Sequence, residues 1–222
     1  MAPHSQRTAG YTVIPFVIAY ANELVSDPIG FVPYAGRQRL SYLPSSRPGD
    51  WVKSPSPRSW DPGILRARVR DLRGKPNERG LERMRKLNVR RQWRCMDKRL
   101  CQVCGEPATD SETGLIPWLL TATVFERTGA ESGRTNAPPT CWSCIPRAME
   151  ECPMLGKSFG LVTAVGVEPA GVLADMYRPG LLPGTLMPTA HNVFVAWDAS
   201  QYHRHALATS QVVELRGLRS VP

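Results

Sequence analysis

The hydrophobic residues near the start of the chain come in short runs: YTVIPFVIAY, GFVPY, LSYL and WV. Proline, glycine and serine separate these runs, and short apolar runs between turn-forming residues are typical of β-strands. Residues 47–63 then contain four prolines without hydrophobic periodicity, which predicts a long loop. We therefore expect residues 1–63 to form a β-rich region that ends in a proline-rich loop.

A helical pattern follows in the stretch PNERGLERMRKLNVRRQWRCMDKRL, which ends just before Cys101. Asn77 is a suitable N-cap, Glu78 lies in the first turn, and several apolar residues can face a core. The sequence therefore predicts a helix that runs into Cys101, although Gly80 weakens its start. Four arginines are expected on or near the exposed side of this helix: Arg83, Arg90, Arg91 and Arg94.

The rest of the chain alternates predicted strands with further helices. GLIPWLLTATVF indicates a strand or hairpin, and CWSCIPRAMEECP indicates a short helix with Pro146 in its first turn. FGLVTAVGVE and GVLADMY predict paired strands, NVFVAW predicts a third strand, and DASQYHRHALATSQVVELRGL predicts a closing helix capped by Asp198. The predicted fold class is α+β, with the basic helix and a metal site in residues 64–156, and strands with a closing helix in residues 157–222.

Two CxxC pairs are the strongest chemical signal in the sequence. Zinc takes four soft or borderline ligands in a tetrahedron, and a CxxC turn presents two thiolates to one side of the metal. Four thiolates leave no open position for water, so such a site is structural and not catalytic. The order knuckle, hairpin, knuckle, helix is that of a treble clef. The predicted zinc ligands are Cys101, Cys104, Cys141 and Cys144.

Other interpretations of the cysteines stay open. If the protein is secreted, both pairs are instead expected to be disulfides or buried thiols. Residues 11–21 follow Arg7 and end in a small-x-small pattern, so a cleaved signal peptide is the alternative to a buried strand there. We expect the strand, and hence a cytoplasmic protein. Cys95 and Cys152 are expected to pack in the core, with either one as a reserve ligand.

The positive charge of the chain is concentrated in one segment. The formal net charge is +9, and residues 64–100 hold 14 of the 28 Lys and Arg but only 4 of the 19 Asp and Glu. That segment therefore carries +10, and the remainder balances to −1. A local basic region is typical of nucleic-acid binding, although a solvated charged face gives the same count. No membrane partner is expected, because the most apolar stretch is eleven residues long and contains Pro15.

The segment from residue 101 to 153 resembles the zinc-bound core of HNH-type endonucleases, in which two CxxC knuckles flank a hairpin and a helix. TNAPPTCWSC is similar to the asparagine and CxxC at the end of that motif. The family carries a histidine on the hairpin as general base, whereas this chain has no histidine between residues 105 and 140. The resemblance therefore implies a treble clef without the nuclease chemistry.

A second resemblance spans more of the chain. VIPFVIAYANE, LCQVCG followed by PA and WLL, PPTCWSC, ECPML, GV and YRPG are similar to an uncharacterised family of actinobacterial proteins, often carried by phage-like or mobile elements. This resemblance implies zinc binding and no particular activity.

These observations predict a zinc-stabilised, non-catalytic protein that binds nucleic acid, DNA in the first place, through its basic helix. One alternative is an adaptor whose arginine-rich helix meets an acidic protein partner. A further alternative is a relic of an HNH-like endonuclease that recruits a histidine, His203 or His205, from the closing helix.

Overall fold

The computed structural model describes residues 13–55, 63–121, 132–152, 155, 159–182 and 185–221. Within these ranges the chain is mostly strand with a few short helices, which confirms the predicted α+β class. The strands are β1 (Ile18–Tyr20), β2 (Ile29–Tyr34), β3 (Arg37–Tyr42), β4 (Trp51–Val52), β5 (Ile64–Arg66), β6 (Glu82–Leu87), β7 (Ile116–Thr121), β8 (Ser132–Thr135), β9 (Phe159–Ala164), β10 (Gly166–Pro179), β11 (Leu186–Ala196), β12 (Ala206–Arg216) and β13 (Arg219–Ser220). The helices are α1 (Val89–Lys98), α2 (Ile145–Glu151) and α3 (Ser200–His203), with 3₁₀ turns at Ala21–Glu23 and Trp142–Cys144. No helix in the described ranges has the length and apolar character needed to cross a membrane.

A six-stranded sheet forms the centre of the fold, in the order β11-β10-β12-β5-β4, with β8 paired to the last part of β12. Strand β10 pairs antiparallel with both β11 and β12, and β5 runs parallel to β12. The sheet thus contains strands from all three predicted regions, 1–63, 64–156 and 157–222. The predicted regions therefore do not correspond to separate sheets.

Helix α1 contributes side chains to three hydrophobic clusters. Val89 and Trp93 pack with residues of the central sheet, and Met96 packs with Trp118 of β7. Cys95 lies in a smaller cluster beside the N-terminal strand. Because all of these side chains are buried, the helix has a fixed position between the central sheet and the β13-β9-β7 sheet.

The predicted closing helix is wrong. Only residues 200–203 are helical, their N-cap is Ala199 and not Asp198, and residues 206–216 form strand β12. Strand β12 has neighbours on both sides, and most of its side chains are buried whichever face they point to. A strand buried on both faces lacks the alternation of apolar and polar residues that identifies a strand in sequence.

The two strands predicted to pair with each other do form, as β9 and β10, but they lie in different sheets. Strand β9 pairs with β7 and β13, whereas β10 pairs with β11 and β12. Only Val165 separates them, and a tight hairpin needs a loop of about two residues. The chain therefore passes directly from one sheet into the other.

The long basic helix is shorter than predicted. Residues 82–87 form β6, which pairs with β1, and the helix begins after Asn88. The Asn88 side chain accepts a hydrogen bond from the backbone N–H of Arg91, so Asn88 and not Asn77 is the N-cap. The apolar residues on both sides of Asn88 favoured one long helix, although Leu87 and Val89 do not fit on the same helical stripe, and this break marks the change from strand to helix.

Arg91 is buried, so its predicted exposure on the helix is wrong. Its side chain is 1% exposed, and all five guanidinium N–H groups donate hydrogen bonds. Two go to the carboxylate of Glu23 at 2.6 and 2.7 Å, and one goes to Asp71. The other two go to the carbonyl oxygens of Phe16 and Ile18. Arg91 therefore joins α1 to the N-terminal segment.

Glu23 completes this network from the other side. Its carboxylate is fully buried and also accepts hydrogen bonds from the backbone N–H groups of Tyr20 and Leu72 and from the Asn88 amide. Burial alone would raise the pKa of Glu23, but the hydrogen bonds, with Arg91 first among them, lower it to about 2. Three separate parts of the chain thus meet on one carboxylate.

Replacing Arg91 by alanine should reduce the free energy of unfolding by about 3–5 kcal/mol, because it leaves the Glu23 carboxylate buried without its partner. The neighbouring Arg90→Ala variant should change it by about 0.5 kcal/mol at most, since Arg90 is exposed. Urea unfolding of both variants measures the difference. Equal stability of the two variants would show that the buried network is not needed for folding.

The depressed pKa of Glu23 also predicts an acid dependence of stability. A carboxylate with a lowered folded-state pKa stabilises the protein fully above its unfolded value and loses this contribution as the pH falls through its folded value. The contribution of Glu23 should therefore be complete above pH 4.5 and disappear towards pH 2. Unfolding measured across this interval should show a shallower pH dependence for Glu23→Gln than for the wild type, and an unchanged slope would contradict the assignment.

Candidate metal centre

The first cysteine pair follows directly from the end of α1. Arg99 adopts a left-handed conformation and ends the helix, and its backbone N–H bonds back to carbonyls of the last turn. Cys101 then begins a tight turn in which the N–H of Gly105 donates to the Cys101 carbonyl at 2.8 Å. Gly105 has φ of +84°, and a side chain there would also meet the ring of Phe16. The glycine after the second cysteine is thus required by the turn.

The second pair lies at the start of α2. Cys141 precedes a 3₁₀ turn in which the Cys144 N–H donates to the Cys141 carbonyl at 2.9 Å, and Pro146 occupies the first turn of the helix as predicted. A hydrogen bond connects the two cysteine turns: the backbone N–H of Gln102, between Cys101 and Cys104, donates to the carbonyl of Pro139, two residues before Cys141. The two turns therefore face each other across a fixed distance.

The four sulfur atoms converge. The Sγ atoms of Cys101, Cys104, Cys141 and Cys144 all lie within 4.8 Å of one another, and Cys104 and Cys141 are 3.8 Å apart. Zn–S bonds of about 2.3 Å in a tetrahedron place sulfur atoms about 3.8 Å apart. Among the described residues, these are the only ones that form a group of three or more His, Cys, Asp or Glu side chains able to share a metal ion. The cluster could therefore hold a metal ion.

The thiols of the cluster differ in acidity. Burial raises the pKa of Cys101 to about 11, and burial together with a hydrogen bond to Cys141 raises the pKa of Cys144. Cys141 shows the opposite shift: burial opposes ionisation, but hydrogen bonds with Ser143 and Cys144 lower its pKa to about 7. A metal binds thiolates, so it has to displace protons from the buried thiols, and occupancy should fall as the pH falls.

The two remaining cysteines lie outside the cluster. Cys95 is fully buried in α1, and burial raises its pKa to about 12, which favours the thiol. Cys152 follows α2 and lines an apolar cavity of about 380 Å³ together with Val103 and Leu119. Neither sulfur belongs to the group of four. Cys95 packs in a buried cluster as expected, whereas Cys152 is only half-buried.

The strands around the cluster are arranged differently from the predicted hairpin. Strand β7, which lies between the two pairs, is joined to β9, and β8 is joined to β12. Within the described residues, β7 and β8 are therefore in different sheets, and residues 122–131 between them lie outside the described part of the chain. The described histidines, His191, His203 and His205, do not belong to the cysteine cluster.

Three of the four predicted arginine contacts are exposed. Arg83 lies on β6, and Arg90 and Arg94 lie on α1, whereas Arg91 is buried. Positions 90, 94 and 98 follow the four-residue spacing that places side chains on one face of a helix, so Lys98 continues the stripe of Arg90 and Arg94. Lys98 also lies within the predicted helix, and its four-residue spacing from Arg94 is the signal that could have identified it from the sequence. The basic stripe of α1 is defined here as Arg90, Arg94 and Lys98.

Comparison with known proteins gives no match: no protein-family model matches the sequence, and no curated protein or solved structure matches it significantly. The resemblances to HNH-type endonucleases and to the actinobacterial family therefore stay predictions. The function has to be inferred from the cysteine cluster and from the charged surface.

Replacing Cys104 by serine should abolish binding of one metal ion per chain, because a hydroxyl is a much weaker ligand than a thiolate for a soft or borderline metal. Cys152→Ser is the matched control and should retain the metal, since Cys152 lies outside the cluster. Elemental analysis of the purified proteins and titration with Co²⁺, followed through its thiolate absorption, measure this. Equal metal content in the two variants would show that the cluster is not the site.

Proposed function

We propose that the four cysteines hold one structural zinc ion, and that the protein binds nucleic acid, with duplex DNA as the preferred partner, through the basic stripe of α1. The observation that carries the proposal is the position of the stripe. Its last residue, Lys98, lies three positions before Cys101, so the metal centre and the basic surface share one rigid segment.

Zinc is the metal that the donor set favours. Four cysteine thiolates in a tetrahedral arrangement are typical of structural zinc sites, and oxygen-preferring ions such as Mg²⁺ or Ca²⁺ do not select such ligands. When bound, zinc would cross-link the two turns and fix the end of α1. We also propose that the site is related to the treble clef of HNH-type proteins and to the actinobacterial family with the same cysteine motifs.

The basic segment contains two kinds of cationic side chain. One kind bonds to carboxylates or backbone carbonyls inside the fold and includes Arg66, Arg68, Arg73, Arg79 and Arg91. The other kind is exposed, and none of its described members is in an ion pair with another described residue. This second set consists of Arg70, Arg83, Arg85, Lys86, Arg90, Arg94, Lys98 and Arg99.

Exposed cations without an internal partner suit a polyanion. Arginine can bond to a phosphate with two parallel N–H groups, and each neutralised phosphate releases counterions from DNA. The helix is held by its buried face, so the backbone positions of the exposed cations are fixed before binding. An acidic protein partner would use the same surface, which makes the adaptor function the main alternative.

Duplex DNA binding should depend strongly on salt. Roughly four to six phosphate contacts give a log–log slope of about −4 to −5 in the wild type. The double variant Arg90→Ala/Arg94→Ala should reduce this slope by about two, because each lost phosphate contact removes roughly 0.9. The matched control, Arg37→Ala/Arg219→Ala, removes the same charge from exposed positions outside α1 and should leave the slope near the wild-type value. Fluorescence anisotropy with labelled duplex at several salt concentrations measures all three proteins.

Metal content and thermal unfolding should be the same in both double variants, which separates a loss of contact from a loss of folding. Binding that is absent at low salt would contradict the nucleic-acid function and favour the adaptor. An equal reduction of the salt slope in both double variants would mean that net charge, and not the basic stripe of α1, accounts for DNA binding.

A further inference from the structure

A second site candidate lies away from the metal centre, at the end of the central sheet where β10 and β11 approach the start of β12. It is a hollow of about 420 Å³. This volume lies within the range of small-molecule sites in proteins. Four of its lining residues carry aromatic or heteroaromatic rings, and we call the site the aromatic hollow: Tyr177, Phe194, Tyr202 and His205.

Two of these rings are unusually accessible. Phe194 is 37% exposed and Tyr202 is 53% exposed, although large aromatic side chains normally bury most of their surface. Arg134, which also pairs with Glu214, places its guanidinium 4.8 Å from the centre of the Phe194 ring. Exposed rings close to a cation are suited to stack against a planar ligand.

The charges around the aromatic hollow favour an anionic ligand. Its described lining contains Arg178 but no Asp or Glu. The closest acidic side chain along the strand, Asp175, already accepts hydrogen bonds from His191 and from the backbone N–H of Asn192. A negatively charged group would therefore find a cation at the site without a competing free carboxylate.

His205 forms a fixed part of the wall of the hollow. Arg204 donates to its Nε2 at 3.0 Å, so the neutral ring carries its proton on Nδ1, and Nδ1 is buried without a hydrogen bond of normal geometry. Burial, followed by the charge of Arg204, lowers the pKa of His205, while a backbone contact with Tyr177 partly offsets this. Phe31 packs against the ring at 5.5 Å and holds its orientation. Because Nδ1 is buried, His205 contributes a fixed ring to the wall of the hollow and not an accessible donor.

We propose that the aromatic hollow binds a nucleobase, presented either by a mononucleotide or by an unpaired nucleotide of a nucleic-acid strand. The base would stack on Phe194 and Tyr202, and the phosphate would lie towards Arg178. This site is independent of the metal centre and of the basic stripe, so it can be present whether or not α1 binds DNA.

Calorimetric titration with AMP and UMP tests the proposal, with ribose 5-phosphate as the control ligand that has the phosphate but no base. Both nucleotides should bind the wild type, and ribose 5-phosphate should not. Phe194→Ala and Tyr202→Ala should each weaken binding about tenfold, which corresponds to the loss of one stacking contact. Phe159→Ala removes a ring of similar exposure, 41%, from β9 outside the hollow and should have no effect.

A labelled single-stranded oligonucleotide and an abasic strand of the same length distinguish the two sources of the base. If the hollow binds a base of a nucleic-acid strand, Phe194→Ala and Tyr202→Ala should weaken binding of the normal strand and leave binding of the abasic strand unchanged. This difference should be measurable even if the mononucleotides bind too weakly to detect. The Arg90→Ala/Arg94→Ala protein should bind AMP and UMP as the wild type does. The proposal is overturned if neither nucleotide binds and the hollow variants leave strand binding unchanged. It is also overturned if Phe159→Ala or the arginine double variant weakens nucleotide binding as much as the hollow variants do.

Discussion

The buried ion pair between Arg91 and Glu23 is the constraint on which the rest of the fold depends. Taking both charges out of water is costly, and the arrangement is tolerable only because every remaining donor and acceptor around it is satisfied. Arg91 uses all five of its N–H groups, and the Glu23 carboxylate also receives bonds from Tyr20, Leu72 and Asn88. Moving either side chain would break several of these hydrogen bonds at once, so the network fixes the start of α1 relative to the N-terminal segment.

The two ends of α1 are fixed by different means. The ion pair holds the first turn, and the cysteine cluster begins three residues after the last turn. A helix of ten residues has little stability in isolation, so its order comes from these two ends and from the side chains it buries. The exposed stripe therefore has a fixed spacing of positive charge, which is the property that the proposed binding function requires.

The features that could be predicted from the sequence are those set by residues close together in the chain. The CxxC pairs, Gly105 and Pro146 each express a requirement of a single turn, and the structure brings the four predicted cysteines together. The burial of Arg91 could not be predicted in this way, because its partner Glu23 lies 68 residues earlier in the chain. Strand β12 was taken for a helix for a related reason: the strands that pair with its edges and the side chains that cover its faces come from other parts of the sequence.

The parallel pairing of β5 with β12 has a consequence for the order in which the chain can fold. Leu65 lies opposite Leu207, so during synthesis β5 has only the two-residue β4 paired with it until about 140 further residues have been made. Contacts between such distant positions form slowly, because a long loop must close before they are gained. The edge of β5 that pairs with β12 therefore stays unpaired in the growing chain, and a chain at this stage is the form most exposed to aggregation or to capture by chaperones.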